Sequence, residues 1–341
     1  MRARVLKTGE NKMWDEFVMK QPYAIAWQLF EWSQLVDKHY GAQFYPLVVE
    51  EGDEIVGILP LYRIKPLKGS PRMISVPHAV AGGMLAKEPQ IQKTLLEAAV
   101  KIGSDTGVQS LILKQYKMKV AGELTTDDNF YNRELDLRGG PEAVWERITQ
   151  ENRDNVDATE GEPLILEHPA GDLTSFYRYL LKHHRRKGLP CVSKQWVLDL
   201  VALGMYSAAV LKRDNHIVAA TMVKEFKDTV SFPFTCSSGG THADNLPVYR
   251  LYWDLMSKYS ELGFGICHSG RIPKTDDVDP YRMGWGGTKY PYYYQYYPQT
   301  QQATEFAHKR SWKRELFSSV WKLMPLSVAG FLGPYVVRQF P

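Results

Sequence analysis

Two hydrophobic periods run along this chain, and each of them comes twice. Over Leu47–Leu61, LVVEEGDEIVGILPL, an apolar run, a polar turn at Gly52-Asp53 and a second apolar run predict a β-hairpin. Over Ala209–Val223, AVLKRDNHIVAATMV, the pattern returns with its turn at Asp214-Asn215. An offset of 162 aligns Val48 with Val210, Asp53 with Asn215, Ile55 with Ile217 and Val56 with Val218. An offset of 156 then aligns ISVPHAVAGG, Ile74–Gly83, with VSFPFTCSSGG, Val230–Gly240, matching Ser75 to Ser231 and Pro77 to Pro233. The same offset pairs Gly107 with Gly263. Each ends a helical pattern and precedes a strand, as expected of a residue that accepts positive φ at a helix stop.

The shared order is helix, hairpin, strand, Gly-Gly loop, helix, strand. A repeat of that kind predicts two similar α/β domains, each a mixed sheet with helices on its faces. Arg138–Pro163, RGGPEAVWERITQENRDNVDATEGEP, supplies the Gly, Pro and charge of a boundary. The expected division is residues 1–148, residues 149–307 and a tail of residues 308–341.

In GDLTSFYRYLLKHHRRKGLP the apolar residues Leu173, Phe176, Tyr177, Leu180 and Leu181 follow the 3.6-residue period. A helix is predicted over Leu173–Lys187, with Asp172 as N-cap and Gly188 as stop. Its basic end complements the carbonyl pole of the helix. At about 100° per residue, His184 falls on the apolar face, with Lys187 beside it, while Arg185 and Arg186 point outward. His184 is then either a hydrogen-bonded core histidine or a site residue.

Composition narrows the picture modestly. The 341 residues, 44% of them hydrophobic, suffice for two cores. A net charge of +4 suits anionic small molecules or a membrane surface without demanding nucleic acid. Cys191, Cys236 and Cys267 have no disulfide or metal spacing, which points to a reducing cytosol and no metal site. The first residues lack the apolar run of a signal peptide, and nothing reaches the roughly 18 apolar residues of a spanning helix.

The stretch His268–Tyr297, HSGRIPKTDDVDPYRMGWGGTKYPYYYQYY, raises the functional question. Arg271 and Arg282 stand towards the ends of a loop with Asp276, Asp277 and Asp279 between them, and an aromatic strand follows. The order HRRKGLP (His184–Pro190), YWDLMSKYSELG (Tyr252–Gly263), Gly270-Arg271 and YRMGWG (Tyr281–Gly286) resembles the FemAB-like proteins of the wider GNAT-related acyltransferases. It is most similar to those associated with exopolysaccharide and PEP-CTERM/exosortase systems, and WKLMPLSVAGFLGPYVVRQFP resembles their ending. The resemblance covers nearly the whole chain. It implies two tandem GNAT-like domains and an acyltransferase or aminoacyltransferase using aminoacyl-tRNA or acyl-CoA as donor, with no tightly bound cofactor. It implies Arg282 as the catalytic cation, and His184, Arg185, Arg271, Tyr281, Trp285 and Arg153 as substrate-binding residues. This sequence departs from the pattern at His268, where the family has an acid, at Arg282, where it has lysine, and in NRDNVDATEG, where Asp154, Asp157 and Glu160 bring acids into a basic segment.

Amide formation needs a neutral amine, a carbonyl held close and a stabilised oxyanion; one oxyanion donor is worth about 2.7–4 kcal/mol. Arginine can supply that donor but no base at pH 7. The turns VAGGMLAKEPQ and SSGGTHADNLP lack the cation-x-x-Gly-x-Gly/Ala spacing that cradles the CoA pyrophosphate. From His308 the chain turns basic, then apolar with breaks at Pro325 and Pro334. That tail suits either an anionic bilayer at the cytoplasmic face or docking on the second domain. The expected function is amide formation on a lipid-linked or other saccharide precursor of the cell envelope, in the cytoplasm or at the inner face of the membrane. Acetyl-CoA-dependent N-acetylation and a non-enzymatic binding role in a polysaccharide system are the alternatives.

Overall fold

A computed structural model describes residues 2–66, 69–275, 280–298 and 312–339. In chain order the elements are β1 (Ala3–Val5), α1 (Asn11–Lys20), α2 (Phe30–Tyr40), β2 (Gln43–Glu51), β3 (Glu54–Ile64), β4 (Arg72–Ser75), α3 (Pro89–Asp105), β5 (Leu111–Tyr116) and β6 (Thr125–Asp136). There follow α4 (Gly140–Arg147), α5 (Gln150–Asp157), β7 (Leu164–Glu167), α6 (Leu173–Arg186), α7 (Lys194–Ala202), β8 (Ser207–Arg213), β9 (His216–Phe226), β10 (Thr229–Ser231), β11 (Cys236–Ser237), α8 (His242–Glu261), β12 (Ile266–His268), β13 (Ile272–Pro273) and β14 (Thr288–Tyr297). Two last helices are α9 (Trp312–Leu323) and α10 (Leu326–Val337).

The repeat read from the sequence is a repeat of topology. β1-α1-α2-β2-β3-β4-α3-β5 is matched in order by β7-α6-α7-β8-β9-β10-α8-β12, with the short β11 inserted between β10 and α8. Hairpin β2–β3 turns at Gly52, with φ +61, and hairpin β8–β9 turns at Asp214 and Asn215, with φ +49 and +62. Each ladder is interrupted once by a β-bulge, between Val49 and Glu50 in one and between Leu211 and Lys212 in the other. Those two positions are 162 residues apart, the offset that aligned the hairpins. β4 runs parallel to β5, and β10 runs parallel to β12.

The chain divides into two compact units that interleave in sequence. One comprises Met1–Phe130, Pro291–Arg310 and Arg338–Pro341; the other comprises Tyr131–Tyr290 and Ser311–Val337. In the first, the outer side of β5 is paired by β14, with Tyr292 opposite Tyr116 and Tyr297 opposite Leu111. In the second, the outer side of β12 is paired by β6, with His268 opposite Glu134 and Ile266 opposite Asp136. A fully paired strand leaves no row of open N–H and C=O groups. Each unit therefore gains its closing strand from a stretch of chain lying beyond its own repeat. The tyrosines of β14 serve this closure: Tyr292 and Tyr294 are buried, and Tyr294 donates to Val80 O at 2.9 Å.

The core of the first unit gathers Leu47, Leu59, Leu61, Leu95, Leu111 and Leu113 between its sheet and α3. In the second unit, Leu135, Val223, Val230, Leu251, Leu255 and Tyr259 do the same between its sheet and α8. Helix α6 begins and ends as its sequence predicts. The Asp172 carboxylate accepts from Thr174 N and Ser175 N, and Gly188 follows the last turn with φ +71. One detail differs. Arg185 does not point into solvent, because the α9–α10 pair lies against this end of α6 and Arg185 Nη1 donates to Met324 O at 3.1 Å.

Candidate functional site

In the second unit the chain leaves the end of β12 and makes a loop to Gly287. Its start is fixed to β6 by backbone and side-chain bonds. Ser269 N donates to Arg133 O at 3.1 Å, Arg133 N to Ser269 Oγ at 2.9 Å and Gly270 N to Asn132 Oδ1 at 3.0 Å. Its return is fixed to α5: Asn152 Nδ2 donates to Met283 O at 2.9 Å and Thr149 N to Gly284 O at 3.0 Å. Arg282 bridges the two limbs, with Nη2 donating to Ser269 O at 3.2 Å and to Arg271 O at 2.9 Å. Trp285 Nε1 donates to Tyr281 O at 2.8 Å, and both residues are buried. The acidic tip at Asp276, Asp277 and Asp279 lies outside the described residues.

Inside this frame is a cleft at the ends of the parallel strands β10 and β12. Its apolar wall is Phe232, Tyr252, Met256 and Trp285, and its polar rim holds Arg133, Ser269 and Arg282. Tyr252 and Trp285 stand with ring centroids 5.7 Å apart, and Tyr252 packs edge-on against Tyr281 at 6.3 Å. The Arg133 guanidinium lies 5.8 Å from the Tyr131 ring. Its Nε is buried and donates to no described residue. A buried donor without an acceptor costs about 1–3 kcal/mol; Arg63 Nε and Arg185 Nε are in the same state away from the cleft, and Arg133 differs from them in standing at the cleft's rim. An open α/β sheet places its ligands at strand ends of this kind.

Of the residues singled out in the sequence, the cleft brings together Arg282 and Trp285, with Tyr281 packed behind the wall. Arg271 is exposed and gives its carbonyl to Arg282. Arg153 donates to Trp145 O at 2.9 Å and Ile148 O at 3.2 Å, so it holds the α4–α5 connection. Asp154, Asp157 and Glu160 are exposed to solvent. His184 does not line the cleft: its Nδ1 is 3.0 Å from Leu180 O, and burial lowers its pKa. The neighbouring His183 is the more buried of the two. It accepts from Ser237 N at 3.2 Å, and burial pushes its pKa down to about 4.

Four polar residues form a row across the second sheet, and two of them, Lys224 and Glu134, were missed in the sequence. Cα register places Lys224 opposite Ser231, Ser231 opposite His268 and His268 opposite Glu134. Directly paired residues share a face, so this row lies on the side away from α8, where Val230, Cys267 and Leu135 belong to the core. His268 Nε2 is 3.1 Å from Glu134 Oε1. Burial pushes the Lys224 ammonium down to about 7.

The two Gly-Gly turns do not fit a diphosphate. At the second, a Cβ on Gly239 would lie 2.0 Å from the Asp244 carboxylate. That carboxylate sits over the start of α8, accepting from Thr241 N at 3.1 Å and Thr241 Oγ1 at 2.6 Å, and these bonds hold its own pKa down. An anion would meet a resident negative charge there. At the first, a Cβ on Gly83 would strike Gln115 Oε1 at 2.0 Å, while Gln28 Nε2 donates to Gly83 O at 2.8 Å. Leu85 N is spent on Ile58 O at 3.0 Å, and Pro89 removes a donor from the first turn of α3.

No family model and no curated protein matches the chain. Solved structures do. FemX superposes with a TM-score of 0.67 at 12% identity, covering 90% of this chain and 99% of that one. L-PGS from Bacillus licheniformis gives a TM-score of 0.56 at 12% identity, covering 84% and 96%. A tandem GNAT protein from the clavulanic acid biosynthesis pathway gives 0.53 at 12%, covering 86% and 97%. At such identities the likeness is one of fold. The chain has the tandem GNAT-like fold that FemX and these proteins share.

Proposed function

We propose that this chain is an acyl or aminoacyl transferase whose reacting centre is the cleft of the second unit. The observation that carries the reading is the cleft itself: two guanidinium groups, one with a buried donor unspent, facing an aromatic wall at the ends of two parallel strands. In an aminolysis the acceptor amine attacks the acyl carbonyl and a C–N bond forms. The carbon–oxygen or carbon–sulfur bond of the donor breaks, and the amine proton leaves with the departing atom. Arg282 uses Nη2 to hold the loop, and its Nε and Nη1, which meet no acceptor among the described residues, serve the oxyanion. Arg133 takes an anionic group of one substrate. The aromatic wall keeps water from the activated acyl group.

An aminoacyl ester is favoured over acyl-CoA as donor, because the Asp244 carboxylate occupies the second Gly-Gly turn and the first has Leu85 N spent and Pro89 in the opening turn of its helix. The fold shared with FemX and L-PGS supports the same class, and the motif resemblance supports a saccharide-linked acceptor of the cell envelope or an exopolysaccharide. The test is acceptor-dependent consumption of a mixed aminoacyl-tRNA pool, run beside acetyl-CoA, after ligands carried by the purified protein have been identified by mass spectrometry. Transfer from aminoacyl-tRNA that Arg133→Leu and Arg282→Ala abolish is the expected result. Saturable CoA binding with acetyl transfer would select acetyl-CoA as donor, and turnover with neither donor would overturn the enzymatic reading.

A further inference from the structure

The last two helices carry a surface that the transferase reading leaves unused. Helices α9 and α10 are joined at Met324-Pro325 and lie against α6. Their inner faces are already occupied. Trp321 is 3% exposed and Ala329 fully buried. The contact depends on small residues: a Cβ on Gly333 would meet Cys191 O at 2.6 Å, and one on Gly330 would meet Leu181 at 3.0 Å. The pair therefore has no room to rotate its outer faces inward.

Those outer faces are apolar. Leu316, Val320 and Leu323 recur along one side of α9 at 56%, 54% and 86% exposure. Val328, Phe331 and Tyr335 recur along one side of α10 at 40%, 68% and 54%. Among the described residues, these 24 or so positions hold eight of the sixteen exposed large hydrophobics. An apolar patch of this density on a folded surface marks a contact.

Charge chooses the occupant. Residues 308–341 carry six lysines and arginines against the single acid Glu315, so the rest of the chain has a net charge of −1 although the whole has +4. The positive charge of this protein is thus the charge of its tail. A stripe of exposed Leu, Val and Phe within a cationic segment matches the boundary of an anionic bilayer, where acyl chains meet acidic headgroups. Each helix has 12 residues and is about 18 Å long, against a hydrocarbon core of about 30 Å, so neither can span it.

We infer that α9 and α10 form a monotopic anchor, which lies in the interface of an anionic membrane with Leu323 and Phe331 among the acyl chains. This does not depend on the transferase reading, since binding is measured without substrate. The full chain is floated with vesicles of phosphatidylcholine containing about 30 mol% phosphatidylglycerol and with vesicles of phosphatidylcholine alone, at low and at about 0.5 M salt. The comparison is the triple variant Leu323→Ser, Phe331→Ser and Tyr335→Ser, whose sites are exposed and whose melting curve checks the fold. We expect at least about tenfold stronger binding to anionic than to neutral vesicles, weakened by salt, and at least about tenfold loss in the variant. Equal flotation of wild type and variant would overturn the proposal, as would equal binding to both vesicles. A concentration-dependent dimer, dissolved by the variant and indifferent to vesicles, would assign the surface to a second copy and overturn it too.

Discussion

In the proposed reaction Arg282 has two duties, and its variants separate them. Its Nη2 ties Ser269 O to Arg271 O, so an alanine there loosens the loop as well as removing a cation. Lysine keeps the charge but not the planar fork. Arg282→Lys is expected to melt within about 1 kcal/mol of wild type and to lose about tenfold or more in kcat, read by calorimetry beside single-turnover transfer. Arg133 shows the opposite balance. Because its Nε is buried and unspent, Arg133→Leu should leave stability unchanged or raise it by about 1 kcal/mol while transfer falls, and a loss of stability equal to the loss of activity would remove it from the site. Lys224 gives a pH signature. Its folded-state pKa, about 7, lies below the ordinary lysine value, so between the two the unfolded chain binds more protons. Its burial therefore destabilises fully below about pH 7, and the cost fades as pH rises towards the unfolded value near 10.4. The stability difference between Lys224→Met and wild type should accordingly shrink from pH 6 to pH 10, measured by urea unfolding; a pH-independent difference would show that the lysine does not titrate in this way. Arg282 and Trp285 were legible in the sequence because they sit in an ordered motif. Arg133, Asn132 and Glu134 left a weaker signal, three polar residues in a row inside a strand. Lys224 left none, since a single lysine at a strand's end reads as solvated until register places it in the sheet.

Elements were more legible than side chains, because period and turn chemistry are local. The hairpins β2–β3 and β8–β9 follow from apolar runs around Gly52-Asp53 and Asp214-Asn215, and even the bulges fall at the aligned positions. Helix α6 follows from Asp172 and Gly188. The wheel placed His184 on the buried face but missed that His183 goes deeper, and it turned Arg185 outward because a wheel knows nothing of a contact made from 139 residues away. The Gly-Gly turns carry a prediction at this scale. At the start of α8, Thr241 Oγ1 accepts from Asp244 N at 3.2 Å while the Asp244 carboxylate closes back on Thr241 N. This reciprocal box satisfies two end donors that would otherwise be open. Asp244→Ala should cost about 1 kcal/mol of stability in chemical unfolding, and the variant should gain measurable affinity for pyrophosphate by isothermal titration, because the helix pole regains a free amide. Pyrophosphate binding to wild type as strong as to the variant would show that the carboxylate does not guard this turn.

At the scale of the whole molecule, the repeat was visible and its closure was not. Offsets of 162 and 156 compare stretches of chain with each other, and they say nothing about which strand completes which sheet. That choice is made by edge pairing. β5 ends the local order of the first repeat with one side open, and β14 fills it over Leu111–Tyr116. Buried Gln295 helps to lock the strand, donating to Val120 O at 2.9 Å and accepting from Val120 N at 2.7 Å. A fragment ending at residue 148 therefore lacks the strand that covers β5 and the side chain that satisfies Val120. It leaves an exposed apolar edge and unpaired backbone groups, a recipe for association through that edge. The fragment of residues 1–130 should give aggregated or non-cooperatively melting protein. The same fragment joined through a flexible linker to residues 288–298 should be monomeric by light scattering and melt in one transition. Replacing Gln295 with Leu in the joined protein should lower its stability by about 1–3 kcal/mol, since both Val120 groups lose their partner. If residues 1–130 fold alone as well as the joined chain does, then β14 is an addition to a finished sheet and the first unit is complete without it.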